Sequence, residues 1–310
     1  MVEKHHIDLS VDSESQEGLR LDRFLAEQLP DFSRSAIQKA IRDGLVCVNE
    51  KKAKSSYRVL PNDSISIKLE PIKEPDIFPE NIPLDILYED EDIIVINKPK
   101  QMVVHPAPGH YSGTLVNALL YHCKDSLSGI NGVLRPGIVH RIDRDTTGAL
   151  VACKNDKAHR LIAEQLAVHS ITRTYHAIVY NNMTETEGTV SAKLARHPVD
   201  RKRMAIDEKK GKEAVTHYHV LDSLNKKYNY ISCDLETGRT HQIRVHMASI
   251  GHPILGDTVY GPAKCAFSLT GQTLHAKTLG FVHPGTGKYM EFDAPLPEYF
   301  QKLLRILQNG

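Results

Sequence analysis

The chain has 310 residues, with 39 Lys and Arg against 38 Asp and Glu, a formal net charge of +1. Hydrophobic residues are 41 % and charged residues 25 % of it, an ordinary globular mix at a length that suggests about two domains with real cores. This balance excludes a uniformly basic nucleic-acid coat, an acidic disordered tail and collagen-like or low-complexity chains, but a total hides local basic surfaces.

The opening MVEKHHIDLS has no apolar core and no small-residue cleavage site, so it does not read as a signal peptide. Residues 1–17 are assigned to an N-terminal extension. Residues 18–70 read as a small α+β module. Leu21, Phe24, Leu25 and Leu29 have helical spacing. Ser33 is placed to cap a second helix that stops at Gly44. The alternating segments Leu45–Glu50 and Ser64–Leu69 read as strands on either side of an Asn62-Asp63 turn. Between Arg34 and Arg58 stand Arg34, Lys39, Arg42, Lys51, Lys52, Lys54 and Arg58 against Asp43 and Glu50, a local charge of +5. A solvated helix face is the ordinary reading of such a cluster. A basic helix beside a basic hairpin also suits a phosphate-binding surface, with Arg34, Lys39 and Arg42 as candidate RNA contacts.

Pro71, Pro75, Pro79 and Pro83 recur at every fourth residue, so residues 71–83 read as an extended linker. It is also acidic: from Glu70 to Asp92 nine carboxylates face Lys73 alone, a charge of −8. Residues 84–310 form the larger domain. Strand patterns are predicted at Asp92–Asn97, Gly137–His140, Ala149–Lys154, Thr174–Tyr180, Ala214–Leu221 and Tyr230–Leu235. Helical patterns are predicted at Thr114–His122, Asp156–His169, His241–Ile250 and Tyr299–Leu307. Strands outnumber helices without βαβ alternation, which predicts an α+β fold with a large mixed or antiparallel sheet and flanking helices.

The densest polar cluster, His140-Arg141-Ile142-Asp143-Arg144-Asp145-Thr146-Thr147-Gly148, falls between two apolar strands and reads as a loop at the sheet edge. Alternating Arg and Asp there reads equally as a surface salt-bridge tangle or as a poised carboxylate kept ionised by its basic neighbours. In a second cluster, Thr237 to His246, Gly238 is read as supplying a turn and Thr240 as capping a helix. Arg244, one turn in, reaches toward an anion at the strand ends. His241, His246 and His252 lack metal-ligand spacing and no metal is expected. Tyr175, on a predicted strand, reads as a packing residue. A third segment, Lys193 to Lys212, carries eight basic and three acidic residues, again +5, and reads as a loop or ribbon.

No apolar run approaches the roughly 18 residues of a membrane span. The five cysteines are scattered with no CxxC, which fits a reducing cytoplasm rather than a disulfide or zinc framework.

These motifs resemble a family. The HRIDRDTTG loop resembles the signature loop of RluA-type RNA pseudouridine synthases, usually written HRLDxxTSG, with Ile142 in place of leucine. The RTYHAIV strand, the GRTHQIRVHMASIGHPILGDTVYG run and the closing QTLHAKTLGFVHP resemble further family motifs in the expected order. The N-terminal module resembles the RNA-binding domain first described in small-subunit ribosomal protein S-four. Thr146-Thr147, His105–Gly109 and Ala195–Ala205 resemble the D-type branch, which modifies large-subunit ribosomal RNA.

The resemblance implies an intramolecular isomerase that converts uridine to pseudouridine, without cofactor or metal, most plainly in loops of large-subunit (23S) ribosomal RNA. It implies Asp143 as the catalytic carboxylate, Arg244 as its ion-pair partner and Tyr175 against the target base, in place of packing. Arg141 and Thr147 are implied to shape the loop and contact RNA. The expected partner is RNA, free or in a pre-ribosomal particle, bound by a cytoplasmic monomer. The alternatives are a non-catalytic RNA-binding assembly protein, a carboxylate-dependent hydrolase built on Asp143 and Asp145, and a synthase acting on transfer RNA.

Overall fold

The protein is described by a computed structural model covering residues 5–11, 16–30, 32, 34–69, 77–107, 109–124, 126–132 and 134–309. It forms two compact units, Met1–Glu74 and Pro75–Gly310.

In the small unit, helices α1 (Leu21–Gln28) and α2 (Arg34–Arg42) accompany strands β1 (His5–Ser10), β2 (Val46–Val48), β3 (Lys51–Lys52) and β4 (Ser64–Leu69). The sheet is antiparallel in the order β1-β4-β2-β3. The helical spacing of α1 buries Leu21, Phe24 and Leu25 against Ile37 and Ile41 of α2 and against Val46, Val48, Ile65 and Ile67 of the sheet. Gly44 takes φ +73° just past α2, where Gly44 and Leu45 return their N–H groups to Ile41 and Ala40. The expected cap, Ser33, lies outside the described residues.

The assigned extension needs correction. His5–Ser10 pairs residue by residue with β4, and Ile7 and Leu9 pack onto the core, so it is an edge strand of this unit. Its alternating Ile7-Asp8-Leu9-Ser10 carried that signal. The linker shrinks in the same way. Residues 71–76 lie outside the described residues, but Ile77 is buried in the core of the large unit. Asn117 donates its side-chain N–H to the Phe78 carbonyl at 2.8 Å, and the Glu80 carboxylate accepts the Gly113 N–H at 3.0 Å. Ile77 and Ile82 strap this stretch onto the domain that follows.

The large unit holds β5 (Ile86–Glu89), β6 (Ile93–Lys98), β7 (Thr147–Cys153), β8 (Thr172–Tyr180), β9 (Glu187–Arg196), β10 (Met204–Ile206), β11 (Lys212–Leu224), β12 (Tyr228–Leu235), β13 (Leu274–Val282) and β14 (Tyr289–Asp293). Its helices are α3 (Leu115–Cys123), α4 (Asp156–Ala167), α5 (Gln242–Ser249) and α6 (Glu298–Asn309). The ten strands form one sheet in the order β10-β9-β11-β12-β8-β13-β7-β6-β5, with β14 paired to β13. Every pairing is antiparallel except β13 with β7.

Period-2 alternation divides the strand residues between two helical layers. On one face Ile94, Ile96, Ala177 and Ile231 pack with Leu115, Leu119, Ile243 and Met247 of α3 and α5. On the other, Ile93, Val95 and Val151 meet Ala158 and Ile162 of α4. Ile178, on that same face of β8, meets Phe300 and Leu303 of α6. This is the mixed-sheet α+β architecture that the strand and helix patterns predict. Gly137–His140 is not a strand; Ile138 makes only an isolated bridge to Ala152. The basic stretch Lys193 to Lys212 is a β-ribbon turning through β10. No helix among the described residues is long and apolar enough to cross a membrane.

Candidate active site

The signature loop runs from His140 to Thr146 and delivers the chain into β7, whose buried residues anchor its far end. Gly148 makes the anchorage possible. It takes φ +108°, and a Cβ there would collide with the carbonyl of Ala276 on the parallel strand β13. Lys98, fully buried at the end of β6, ties the near side. Its Nζ donates to the carbonyls of Pro99, Met102 and Arg144 at 2.8, 2.9 and 3.1 Å. Burial pulls the Lys98 ammonium down to about 7, against the attraction of Asp145 and Asp143.

The loop borders a cavity of about 340 Å³, at the lower end of the range for ligand pockets. Asp143 projects into it with Tyr175 of β8 and Arg244 of α5 on neighbouring walls. Arg244 Nη1 donates to Asp143 Oδ2 at 2.9 Å. The other edge of the same guanidinium is held by buried Asp257, Nε to Oδ2 at 2.6 Å and Nη2 to Oδ1 at 2.9 Å. Asp257 in turn accepts the backbone N–H groups of Val259 and Tyr260. Burial works against the Arg244 charge, but the bonds to Asp257 and Asp143 outweigh it and raise the pKa above the usual arginine value. Burial likewise opposes ionisation of Asp257, and Arg244 overcomes it and lowers that pKa. Asp143 is the one carboxylate among the described residues lining the cavity.

His241 faces the other carboxylate oxygen. Its Nε2 is 3.9 Å from Asp143 Oδ1, and its Nδ1 is 2.9 Å from the Tyr260 hydroxyl. That hydroxyl already accepts the Met204 N–H at 2.7 Å. Its own proton is then available to Nδ1, which puts the imidazole N–H at Nε2, toward Asp143. His241 also takes φ +57°, unusual for a side chain of this size. It, rather than Thr240, immediately precedes α5. The turn is held by Gln242, whose side-chain oxygen accepts from the Thr237 hydroxyl and the Arg239 N–H.

Tyr175 is buried in the cavity wall, and burial pushes its hydroxyl up to about 12, so the phenol is protonated at neutral pH. Arg141 is exposed at the cavity edge. Thr147 is elsewhere. Its hydroxyl lies 2.7 Å from His275 Nδ1 inside the sheet, and the threonine lining the cavity is Thr146. The strand begins at Thr147, so the two threonines point to opposite faces.

In the small unit, Arg34 is exposed and also ion-paired. Its Nε and Nη2 donate to Asp22 at 3.2 and 3.0 Å, and Gln38 donates to the same oxygen at 2.6 Å. Asp22 is fully buried; although desolvation opposes its charge, the bonds from Arg20, Gln38 and Arg34 lower its pKa to about 2. Lys39 and Arg42 remain exposed. Lys98, Asp257 and His241 were not singled out as site residues from the sequence. The partners that tie them to the site, Arg144, Arg244 and Tyr260, lie 46, 13 and 19 residues away, beyond any local spacing rule.

A single carboxylate clamped by an arginine above a nucleoside-sized cavity, on a mixed sheet, defines the class. The sequence pattern of the family described as RNA pseudouridylate synthase matches residues 92–249, and that of the S4 domain matches residues 19–65. The uncharacterized RNA pseudouridine synthase YlyB of Bacillus subtilis is 48 % identical over 306 residues, covering 99 % of both chains. The ribosomal large subunit pseudouridine synthases D of Zymomonas mobilis and Escherichia coli O6:H1 are 47 % and 45 % identical, covering 95 % and 96 % of this chain and 96 % and 93 % of theirs. The chain therefore belongs to the RNA pseudouridine synthase family, and it is an RNA-binding isomerase. The solved structures of human RNA pseudouridylate synthase domain-containing proteins 1 and 4 share the fold at TM-scores of 0.55 and 0.57. They are 24 % and 22 % identical, covering 76 % and 72 % of this chain and 98 % and 93 % of theirs.

Proposed function

We propose that this protein isomerises uridines of large-subunit ribosomal RNA and that Asp143 is the carboxylate that carries the reaction. The observation behind the second part is the Asp143–Arg244 bond inside the cavity, with no other carboxylate among the described lining residues. The isomerisation breaks the bond from ribose C1′ to uracil N1, turns the base, and joins C1′ to C5. The C5 proton is lost and N1 gains one, so the mass is unchanged. An anionic group beside the ribose serves this chemistry as nucleophile or as base. Arg244 holds that anion in place without protonating it, because an arginine keeps its proton in proteins. The target uridine must leave its stack to enter the cavity, at a few kcal/mol, which favours loops over duplexes.

The ribosomal target rests on the names of the D-type relatives and on near full-length identity to them. Two experiments test the reading. Asp143→Asn is expected to lose pseudouridine formation by at least about 10³-fold while still binding RNA; unchanged modification overturns the assignment of Asp143. Chemical mapping of pseudouridine in total RNA from cells lacking the protein is expected to show loss at large-subunit sites. Intact large-subunit sites with losses in transfer RNA overturn the target.

A further inference from the structure

The cavity wall holds a second buried guanidinium with no part in the carboxylate clamp. Arg173, on β8, is only 9 % exposed. Its Nη2 donates to the Glu236 carbonyl at 2.9 Å, and its Nε has no hydrogen-bond partner among the described residues. Burial disfavours its charge, and Arg239 adds a like charge. A buried arginine without a counter-ion is costly, because it cannot shed its proton.

The fold nevertheless makes room for it. A Cβ on Gly238 would lie 2.5 Å from Arg173 Nη1, so glycine lets the guanidinium take this position without shifting. Gly238 lies in the turn that Gln242 holds, and its φ is not left-handed. Arg141, Arg173, Arg239 and Arg244 all line the cavity, against Asp143 alone, and Asp257 behind the wall answers for Arg244 only. Uracil and ribose are neutral and leave this positive excess standing. A phosphodiester, with one negative charge, offsets part of it.

We propose that Arg173, with Arg239 beside it, seats one backbone phosphate adjacent to the uridine held at Asp143. Two guanidinium groups suit a phosphate because each presents planar N–H forks to its oxygens. The proposal rests on membership of the RNA pseudouridine synthase family, and it is independent of the ribosomal target and of the chemical role of Asp143.

The test uses a short RNA that the full-length enzyme modifies, synthesised with one uncharged methylphosphonate linkage at each position flanking the target uridine in turn. With the unaltered enzyme, one linkage is expected to raise KM about tenfold or more, and the others much less. With Arg173→Gln, KM for unmodified RNA is expected to rise by a similar factor while kcat stays within about threefold. That variant then becomes indifferent to the sensitive linkage, and its log–log salt slope for binding falls by about 0.7. The proposal is overturned if no single linkage is sensitive, or if Arg173→Gln loses the same factor at that linkage as the unaltered enzyme does. The linkage scan needs no variant to fold. It also stands if Asp143→Asn proves active, which separates failure of the two assignments.

Discussion

Asp257 grips Arg244 through both carboxylate oxygens, at 2.6 and 2.9 Å, and so leaves Nη1 as the nitrogen that meets Asp143 at 2.9 Å. A planar guanidinium held along one edge has no rotational freedom left at the other. Asp143 is thus aimed by a residue that does not line the cavity.

This relation predicts the effect of Asp257→Asn. The amide offers one acceptor where the carboxylate offers two, and its NH₂ opposes a guanidinium N–H. Arg244 then shifts and Asp143 loses its bearing, so kcat is expected to fall about 10²-fold with little change in KM. Arg244→Lys is expected to fail similarly, because one ammonium cannot span both carboxylates in this geometry. Single-turnover rates within threefold of the unaltered enzyme contradict the relation.

Lys98 predicts a stability effect. Replacing it by Met keeps the stem but strips three carbonyls, one buried and two part-buried, of their donor, at a cost of about 2 kcal/mol. Thermal denaturation is expected to show a Tm lower by several degrees, with activity lost further because the Arg144 carbonyl belongs to the signature loop. An unchanged Tm refutes the clamp.

Within the small unit, the basic helix divides by role. Arg34→Ala is expected to lower stability by about 1 kcal/mol, since it removes a donor from buried Asp22, and to change RNA affinity little. Lys39→Ala and Arg42→Ala are expected to leave stability alone and weaken RNA binding, with a shallower salt dependence. Urea denaturation beside filter binding separates the two. Equal loss of RNA affinity from all three substitutions overturns the division.

Acid should destabilise the large unit earlier than carboxylate titration alone requires. Burial holds His246 and His275 down to about 4, whereas the unfolded chain takes up those protons near 6.5. Stability is full above pH 6.5. As pH falls toward 4, unfolding gains protons that the native state refuses, at up to ~1.4 kcal/mol per pH unit for each histidine. Urea midpoints measured from pH 7.5 to 5 are expected to drop steadily below 6.5. A flat profile over that range counts against it.

Local order was largely legible in the sequence, because it is written in short-range spacing. The helix at Leu21 and the strand ending at Tyr180 follow from apolar periodicity, and the His140–Thr147 loop from a polar run between apolar ones. What escaped depends on pairing across distance. Arg34 reads as a free cation, yet it pairs with buried Asp22, twelve residues earlier, while its side chain stays 54 % exposed. Thr147 was expected near RNA, but one residue of strand register turns its hydroxyl to His275 and leaves Thr146 in the cavity. The QTLHAKTLGFVHP segment stood out as a motif, yet nothing local says that its strand lies parallel to β7. Asp257 is one acid among 38 Asp and Glu until the fold sets it against Arg244.

The parallel seam between β13 and β7 has a consequence for synthesis of the chain. Gly148 and the loop before it are braced by Ala276, which is translated 128 residues later. A nascent chain can pair β6 with β7 across α3 earlier, yet the loop before Gly148 cannot be braced until Ala276 has left the ribosome. A chain interrupted before β13 therefore carries the signature loop without the strand that braces it.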